Sequence, residues 1–236
     1  MQCATSTTRG ARRRLPPNVA EAEPGARMTI LAMLSGGLDS TAMLWKLLTG
    51  TGEPLRVHHI RMDNREGRAD AEQAAVERIV AYCRAHCRPF RYTESGLELT
   101  QLEAIPIDYM AIAYVACQVA IDTPGCNRIA VGTLARDTDE ANRSARQRRI
   151  FDVMYECYRA RKLGEPEVIW IYPVHALSKT EVAALLPPAL REITWSCRTP
   201  VRTASGFRPC GRCKACRARA EAAPAREISA SPDASG

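Results

Sequence analysis

A run of six residues, Ser35-Gly36-Gly37-Leu38-Asp39-Ser40, has the composition of an anion-binding turn. Glycine lets the backbone pass close to an anion because it has no Cβ, and serine hydroxyls can donate hydrogen bonds to phosphate oxygens. The run follows an apolar stretch, 29–34, and precedes a segment, 41–48, whose apolar residues have helical spacing. Because the N-terminus of a helix favours negative charge, the sequence predicts a phosphate or pyrophosphate site in this turn.

Four cysteines near the other end of the chain, Cys197, Cys210, Cys213 and Cys216, are spaced as C-x12-C-x2-C-x2-C. The two-residue gaps let neighbouring sulfurs meet one ion, and four thiolates close a tetrahedral Zn²⁺ site without an open position. We therefore predict a structural zinc that stabilises a segment too short to form a core of its own. An iron–sulfur cluster, which also takes four cysteines, is the alternative.

The composition favours one sizeable α/β domain with a small appendage. The chain has 236 residues, ten cysteines and a formal net charge of +7. Its apolar runs are shorter than the ~18 residues that span a membrane, so we expect a cytoplasmic protein whose cysteines are core residues or ligands. The excess of arginine suits ATP and an anionic substrate, and a nucleic acid is the alternative partner.

Strand and helix patterns alternate between residues 28 and 190, which predicts an open, mainly parallel five-stranded sheet with helices on both faces. Ligands of such sheets bind beyond the carboxyl ends of the strands. The predicted strands are 29–34, 54–60, 88–92, 128–132 and 168–172, and the predicted helices are 41–48, 69–86, 110–121, 150–162 and 178–186.

We expect four regions along the chain: a disordered tail at 1–27, the nucleotide-binding domain at 28–190, a zinc-binding helical segment at 191–221 and a second tail at 222–236. The first region lacks apolar residues to bury and carries arginine and proline runs. Met28 stands directly before the first strand, so a later start at this residue and a transit peptide are alternatives to a flexible tail.

The turn at 35–40 resembles the SGGxDS loop of the PP-loop pyrophosphatase superfamily. An Asp-Ser pair stands there in place of the Gly-Lys-Ser/Thr ending of the familiar phosphate loop. The superfamily includes tRNA-lysidine synthetases, tRNA thiolases, GMP synthetases, asparagine synthetases and 7-cyano-7-deazaguanine synthases. In these relatives the loop holds the pyrophosphate half of ATP while a substrate oxygen attacks the α-phosphorus. The resemblance implies that this chain uses ATP to adenylate a substrate.

Taken together, the turn and the four cysteines resemble 7-cyano-7-deazaguanine synthases over residues 29–219. The resemblance implies ATP at the turn, Mg²⁺ on the phosphates and a structural Zn²⁺ on the cysteines. It implies a carbon–nitrogen ligase that adenylates the carboxylate of 7-carboxy-7-deazaguanine and forms an amide with ammonia. A second ATP would then convert the amide into the nitrile. A homodimer is also implied.

Two motifs of that family are missing from the middle of the sequence. Members carry Pro-Gly-Arg-Asn before the central helix and Tyr-Pro-Asp-Cys later, whereas this chain has 105–110 and 132–139 at these places. Adenylation is therefore better supported than the identity of the base. One alternative is a divergent deazaguanine-activating protein of phage or antiviral defence, which makes the amide or conjugates the base to protein or nucleic acid. The other is a PP-loop tRNA-modifying enzyme.

The predicted catalytic residues are Asp39, Ser40 and Lys179. The carboxylate of Asp39 would orient Mg²⁺ or the turn itself, and capping of the following helix is its structural alternative. Lys179 lies in a stretch that resembles the Ser/Asp-Lys-x-Glu element of the superfamily, which implies a contact with pyrophosphate. The alternative is that Ser178 merely caps that helix.

The predicted ATP contacts are the turn residues and their neighbours: Leu34, Ser35, Gly36, Gly37, Leu38, Asp39, Ser40, Arg61 and Gly132. Arg65 and Arg68 are predicted to hold the α-phosphate or the substrate carboxylate, with ordinary surface arginines as the alternative. Asp137 and Asp139 are predicted to accept hydrogen bonds from a guanine-like base, with a solvated loop as the alternative. The expected partners are the small-molecule base and ammonia.

Overall fold

A five-stranded parallel sheet forms the centre of the computed structural model, which describes residues 28–103, 108–135, 140–159 and 167–221. The strands are β1 (Thr29–Met33), β2 (Leu55–Asp63), β3 (Arg91–Glu98), β4 (Cys126–Ala130) and β5 (Ile169–Ile171). Their order in the sheet is β3-β2-β1-β4-β5, and each pair is parallel. The order reverses at β1, and in sheets of this kind ligands bind at such a point, beyond the carboxyl ends of the strands.

Helices cover both faces of this sheet: α1 (Leu38–Gly50) and α2 (Ala69–His86) on one face, α3 (Asp108–Ile121) and α4 (Glu140–Arg159) on the other. Alternation along β1 divides the core between the faces. Ile30 and Ala32 pack with α1 and α2, whereas Leu31 and Met33 pack with α3. The predicted fold class is therefore confirmed.

The C-terminal part adds short elements on the side of α1 and α2. They are α5 (Lys179–Leu185), α6 (Pro188–Glu192), the antiparallel strands β6 (Val201–Thr203) and β7 (Gly206–Arg208), and α7 (Lys214–Glu221). The four cysteines lie in and around this β-hairpin and the start of α7. None of the described helices is long and apolar enough to cross a membrane.

Several predicted boundaries are wrong, and those of three elements are the most informative. The third strand was expected at 88–92 but β3 runs from Arg91 to Glu98, and its side chains are mostly polar because it is an edge strand. The second strand continues to Asp63 rather than residue 60. The fourth helix begins at Glu140 rather than residue 150, because its arginine-rich first half has no apolar periodicity.

A buried histidine ties the edge strand β3 to β2. The imidazole of His58 is 2.9 Å from Thr93 Oγ1 through Nδ1 and 3.0 Å from Ser95 Oγ through Nε2. The side chain is 3% exposed. Burial, helped by the positive charge of Arg56, lowers the pKa of His58 to about 4. His58 is therefore neutral in the folded chain over the physiological range.

This low pKa predicts that the free energy of unfolding decreases as the pH is lowered below about 6.5. Between that value and about 4 the unfolded chain binds a proton that folded His58 excludes, at a cost approaching about 3 kcal/mol. Denaturant unfolding measured from pH 7.5 to 4.5 should show a shallower decline for His58→Gln than for the wild type. His86→Gln, at an exposed position on α2, is the matched control for replacing a histidine outside the core. Parallel curves for His58→Gln and wild type would contradict this account.

Candidate functional site

The turn between β1 and α1 is built around two glycines. Gly36 has φ +81°, a conformation that side chains rarely adopt. Gly37 is the N-cap of α1 and has no side chain that could cap the first-turn amides of this helix. Such amides, together with the dipole of a 13-residue helix, can bind an anion.

Hydroxyl groups brace the turn from within. Ser40 Oγ donates to Gly37 O at 3.1 Å and lies 2.9 Å from Ser35 Oγ. It also accepts a hydrogen bond from Ser35 N at 3.2 Å, and Thr41 Oγ1 donates to Gly37 O at 2.8 Å. Ser40 is buried. The Ser40 hydroxyl therefore holds the shape of the turn.

The entrance to the turn is fixed by β2. Leu34 N donates to His58 O at 2.8 Å, and the Leu34 carbonyl accepts from His59 Nδ1 at 2.8 Å. Burial, only partly offset by this bond, lowers the pKa of His59. Leu34 thus continues the sheet up to the point where the glycines begin.

Gly132, which follows β4, lies directly behind the first turn of α1. A Cβ at this position would stand 2.5 Å from Ser40 N and 2.6 Å from the carbonyl carbon of Asp39. Only glycine leaves room for this approach, since real Cβ atoms essentially never come within 3.0 Å of another heavy atom. The structure therefore gives Gly132 a packing role beside the turn, and its predicted contact with ATP stays a prediction.

Asp39 and Lys179 meet at the mouth of the turn, although 140 residues separate them in the sequence. Lys179 Nζ forms an ion pair with Asp39 Oδ2, and both side chains are partly exposed. Lys179 begins α5, where Ser178 and Glu181 form a complete capping box. The cap fixes the start of the helix, so Lys179 is held beside the first turn of α1.

A mostly apolar pocket opens next to the turn, beyond the carboxyl ends of β1 and β2. Its apolar wall is formed by Met33, Leu34, Ile60, Met62 and Ile112, and its polar wall by Ser35, His58, Arg68, Glu72 and Asp108. Apolar walls with a few converging polar groups are typical of small-molecule sites. The turn and the pocket together offer places for an anion and for an uncharged ring.

The polar wall is an ion-pair network, which we call the Arg68 network: Glu66, Arg68, Glu72, Asp108 and Arg198. Arg68 donates to Glu66 at 2.6 Å, to Glu72 at 2.5 Å and to both oxygens of Asp108 at 2.9 and 3.0 Å. Arg198 reaches both oxygens of Glu66 at 2.8 and 2.9 Å and Asp108 at 3.3 Å. The two arginines are therefore bridged by the same two carboxylates.

Burial and ion pairing have opposing effects on the pKa values of Arg68 and Glu72 in this network. Burial lowers the pKa of Arg68, but the carboxylates of Glu72, Asp108 and Glu66 more than reverse the shift, so its pKa is raised. Burial, with Asp108 nearby, raises the pKa of Glu72 to about 7 although Arg68 opposes the shift. Arg68 is thus a buried, fully paired cation rather than a surface arginine, and its predicted contact with substrate stays a prediction.

The other predicted substrate and nucleotide contacts are placed differently. Arg61 lies within β2 between two residues of the pocket wall, so it points to the opposite face, where it pairs with Asp63 at 3.3 Å and Asp70 at 2.8 Å. Arg65 is exposed in the connection to α2. Asp137 and Asp139 lie outside the described residues. Nucleotide or base contacts of these four residues stay predictions.

The four cysteines come together as the sequence predicts. The Sγ atoms of Cys197, Cys210, Cys213 and Cys216 all lie within 4.8 Å of one another, and those of Cys210 and Cys216 are 4.0 Å apart. Hydrogen bonds from Thr199 and backbone amides lower the pKa of Cys210 to about 5, which favours the thiolate that binds metals. The cluster could therefore hold a metal.

This cysteine cluster is attached to the turn. Trp195 N donates to Gly36 O at 2.8 Å, and the indole Nε1 of the same residue donates to Cys197 O at 2.9 Å. The Trp195 ring and the cysteines pack together on Ala71 and Ala75 of α2. A residue two positions before the first cysteine thus contacts the glycine at the centre of the turn.

Comparison with known proteins gives a solved structure of similar architecture. No family model and no curated protein matches the chain. The U34-tRNA thiolase NcsA from Methanococcus maripaludis, solved with its 4Fe-4S cluster, is 17% identical with a TM-score of 0.48. The match covers 83% of this chain and 63% of the thiolase, so this chain spans less than two thirds of that protein.

Several residues of the site were not expected from the sequence: Trp195, Arg198, Glu66, Glu72 and Asp108. The spacing of Arg68 and Glu72, four residues apart at the start of a helix, is a signal that could have identified one pair. The contacts of Asp108 and Arg198 join residues that are 40 or more positions apart in the sequence, so no local pattern predicts them.

The tight approach of Gly132 to α1 predicts that Gly132→Ala destabilises the protein by about 1–3 kcal/mol. The added methyl group has to displace the backbone at Asp39 and Ser40. Gly50→Ala, at the end of α1 with nothing within 4 Å of the new Cβ, is the matched control and should leave stability unchanged or slightly higher. Chemical denaturation measures both variants, and wild-type stability of Gly132→Ala would show that the approach is not tight.

Proposed function

We propose that the chain is an ATP-dependent ligase that activates a carboxylate by adenylation. The observation that carries the proposal is the glycine turn that begins α1 at Gly37, placed beside the Asp39–Lys179 ion pair and a mostly apolar pocket. The turn amides would bind the pyrophosphate half of ATP. The pocket would then bind an uncharged ring next to it.

Adenylation accounts for both charged groups at the mouth of the turn. A carboxylate oxygen is a poor leaving group, and transfer of AMP to it converts it into a good one while pyrophosphate departs. Lys179 can donate to the departing pyrophosphate, whose negative charge increases as the bond breaks. Asp39 is an oxygen ligand that suits Mg²⁺, and bound Mg²⁺ neutralises phosphate charge. In the structure the two residues form an ion pair with each other.

For the substrate we propose 7-carboxy-7-deazaguanine, with ammonia as the second substrate and 7-cyano-7-deazaguanine as the product. Support comes from the combination of the SGGLDS turn with the C-x12-C-x2-C-x2-C cluster, which are far apart in sequence and in contact through Trp195 and Gly36. Ammonia displaces AMP from the adenylated acid to give the amide. A second ATP activates the amide oxygen, and loss of AMP and a proton leaves the nitrile.

For the metal at the four cysteines we propose Zn²⁺. Tetrahedral Zn–S bonds of about 2.3 Å place sulfurs about 3.8 Å apart, which agrees with four Sγ atoms that all lie within 4.8 Å of one another. A four-iron cluster places several metal atoms between the thiolates, so its cysteine sulfur atoms lie farther apart. Zinc here would have no open position and would stabilise the 195–221 segment. A colourless protein with one zinc per chain supports this, and a brown chromophore would replace it with an iron–sulfur cluster.

The second candidate is a PP-loop enzyme that modifies tRNA. It is favoured by the direct attachment of the cysteine cluster to the turn, which would bring a sulfur-carrying cluster close to an adenylated base. AMP release that depends on ammonia and is stimulated by 7-carboxy-7-deazaguanine separates the leading proposal from this candidate, for which tRNA would be the stimulating substrate.

Incubation with ATP, Mg²⁺, ammonium and 7-carboxy-7-deazaguanine tests the leading proposal directly. Mass spectrometry should show conversion of the acid to the amide and then to the nitrile, with two AMP released per nitrile. Accumulation of the amide alone would identify the divergent role in which the base is amidated or conjugated. Absence of base-stimulated AMP release from folded, metal-loaded protein would refute a ligase of this kind.

Variants at the mouth of the turn test the assigned roles. Asp39→Asn and Lys179→Met should each lower the rate of AMP release by about 10²–10³-fold, because each removes a charge that interacts with the transition state. Lys46→Met is the matched control, since Lys46 lies on α1 but donates to Pro173 O at 2.8 Å, away from the turn. Equal rates in all three variants would contradict the roles of Asp39 and Lys179.

A further inference from the structure

The cysteine cluster is joined to the candidate nucleotide site by two separate sets of contacts. The first runs through Trp195, whose backbone amide donates to Gly36 O while its indole donates to Cys197 O. Its carbonyl oxygen lies 3.6 Å from the place that a Cβ of Gly37 would occupy. Displacement of Trp195 therefore removes a hydrogen-bond partner from the glycine turn itself.

The second set of contacts is the Arg68 network. Arg198 follows Cys197 directly and donates two hydrogen bonds to Glu66. Glu66 and Asp108 also accept hydrogen bonds from Arg68. Arg68 in turn holds Glu72, whose carbonyl oxygen lies 3.2 Å from the position of a Cβ on Gly36. The position of Arg198 thus affects the positions of Glu66 and Asp108, and through them that of Arg68 in the polar wall of the pocket.

The far end of the cysteine cluster holds the same segment from the other side. Arg219 lies three residues after Cys216 in α7, and its guanidinium donates to Thr194 O at 2.6 Å and to Arg191 O at 3.0 Å. Residues 191–194 lead directly into Trp195. Binding of a metal by the four cysteines would therefore hold Trp195 in place through the residues before it, 191–194, and through Cys197 after it.

We propose that metal binding at the four cysteines and ATP binding at the glycine turn strengthen each other, with Arg198 as a positioning residue for the pocket wall. The inference rests on the proposed ATP site and adds regulation of that site by its metal. Without the metal, the 195–221 segment has only a small core of its own, so Trp195 and Arg198 are held less firmly. ATP then binds a site that has to be ordered at the same time, which weakens its affinity.

Equilibrium binding of ATP in excess Mg²⁺ to zinc-loaded and metal-free chains tests the proposal. The zinc-loaded wild type should bind ATP at least about fivefold more tightly, the lower end of typical couplings between sites. By reciprocity, ATP should raise the affinity for Zn²⁺ by the same factor. Chelator competition measures that affinity, with zinc binding by ATP itself subtracted in a protein-free control.

Three arginine variants then locate the coupling. Arg198→Gln should lower the ratio of the two ATP dissociation constants towards one, because only the contacts of Trp195 then remain, and Arg198→Lys should retain more of it because one ion pair survives. Arg208→Gln, at an exposed position on β7 with no ion pair within the described chain, removes the same charge from the same segment and should leave the ratio unchanged. A purely structural Arg198 would alter stability without altering this ratio.

Equal ATP dissociation constants for metal-free and zinc-loaded wild type would overturn the coupling while leaving the proposed function intact. Failure of both forms to bind ATP would overturn the proposed function and the coupling together. If circular dichroism shows that the metal-free chain has lost its fold, the test is the ATP affinity of the zinc-loaded variants. ATP binding by Arg198→Gln that is as tight as that by Arg208→Gln then overturns the proposal.

Discussion

The turn at Gly36 and Gly37 is confined on three sides, and the rest of the site depends on that confinement. Val76 and Glu72 of α2 approach within 3.0 and 3.2 Å of where a Cβ of Gly36 would stand. Trp195 binds the Gly36 carbonyl, and Gly132 presses on the first turn of α1. A backbone held in this way presents its amides without a further ordering cost, which is what binding of an anion requires.

The same confinement explains why a short cysteine-rich segment lies where it does. The segment is too small to bury much apolar surface, and its few buried contacts are with Ala71 and Ala75 at the start of α2. Charged contacts supply the rest, through Arg198 and the carboxylates of Glu66 and Asp108. Half-buried ion pairs of this kind stabilise little by themselves, but they fix orientation. The segment is thus positioned at the pocket by oriented ion pairs rather than by a large hydrophobic interface.

The sequence predicted the parts of this site that rest on local patterns. The glycine turn, the helix at 69–86, the cap at Ser178 and the cysteine spacing each follow from residues within a few positions of one another. The meeting of Asp39 with Lys179 follows from the parallel sheet, because both lie at carboxyl ends of strands. Arg68 is the informative exception: its place after a strand favoured contact with a ligand, whereas Glu66, Glu72 and Asp108 bury it among carboxylates, and only Asp108 is distant in sequence.

The central claim is that the glycine turn binds the pyrophosphate part of ATP, and amide chemical shifts test it most directly. In a titration with Mg²⁺ and inorganic pyrophosphate, the account predicts that the largest NMR shift changes occur at Gly36, Gly37 and Leu38. Smaller changes should extend to Trp195, whose amide is bonded to the turn. Changes centred on the arginine-rich helix α4, with the turn unaffected, would contradict the account.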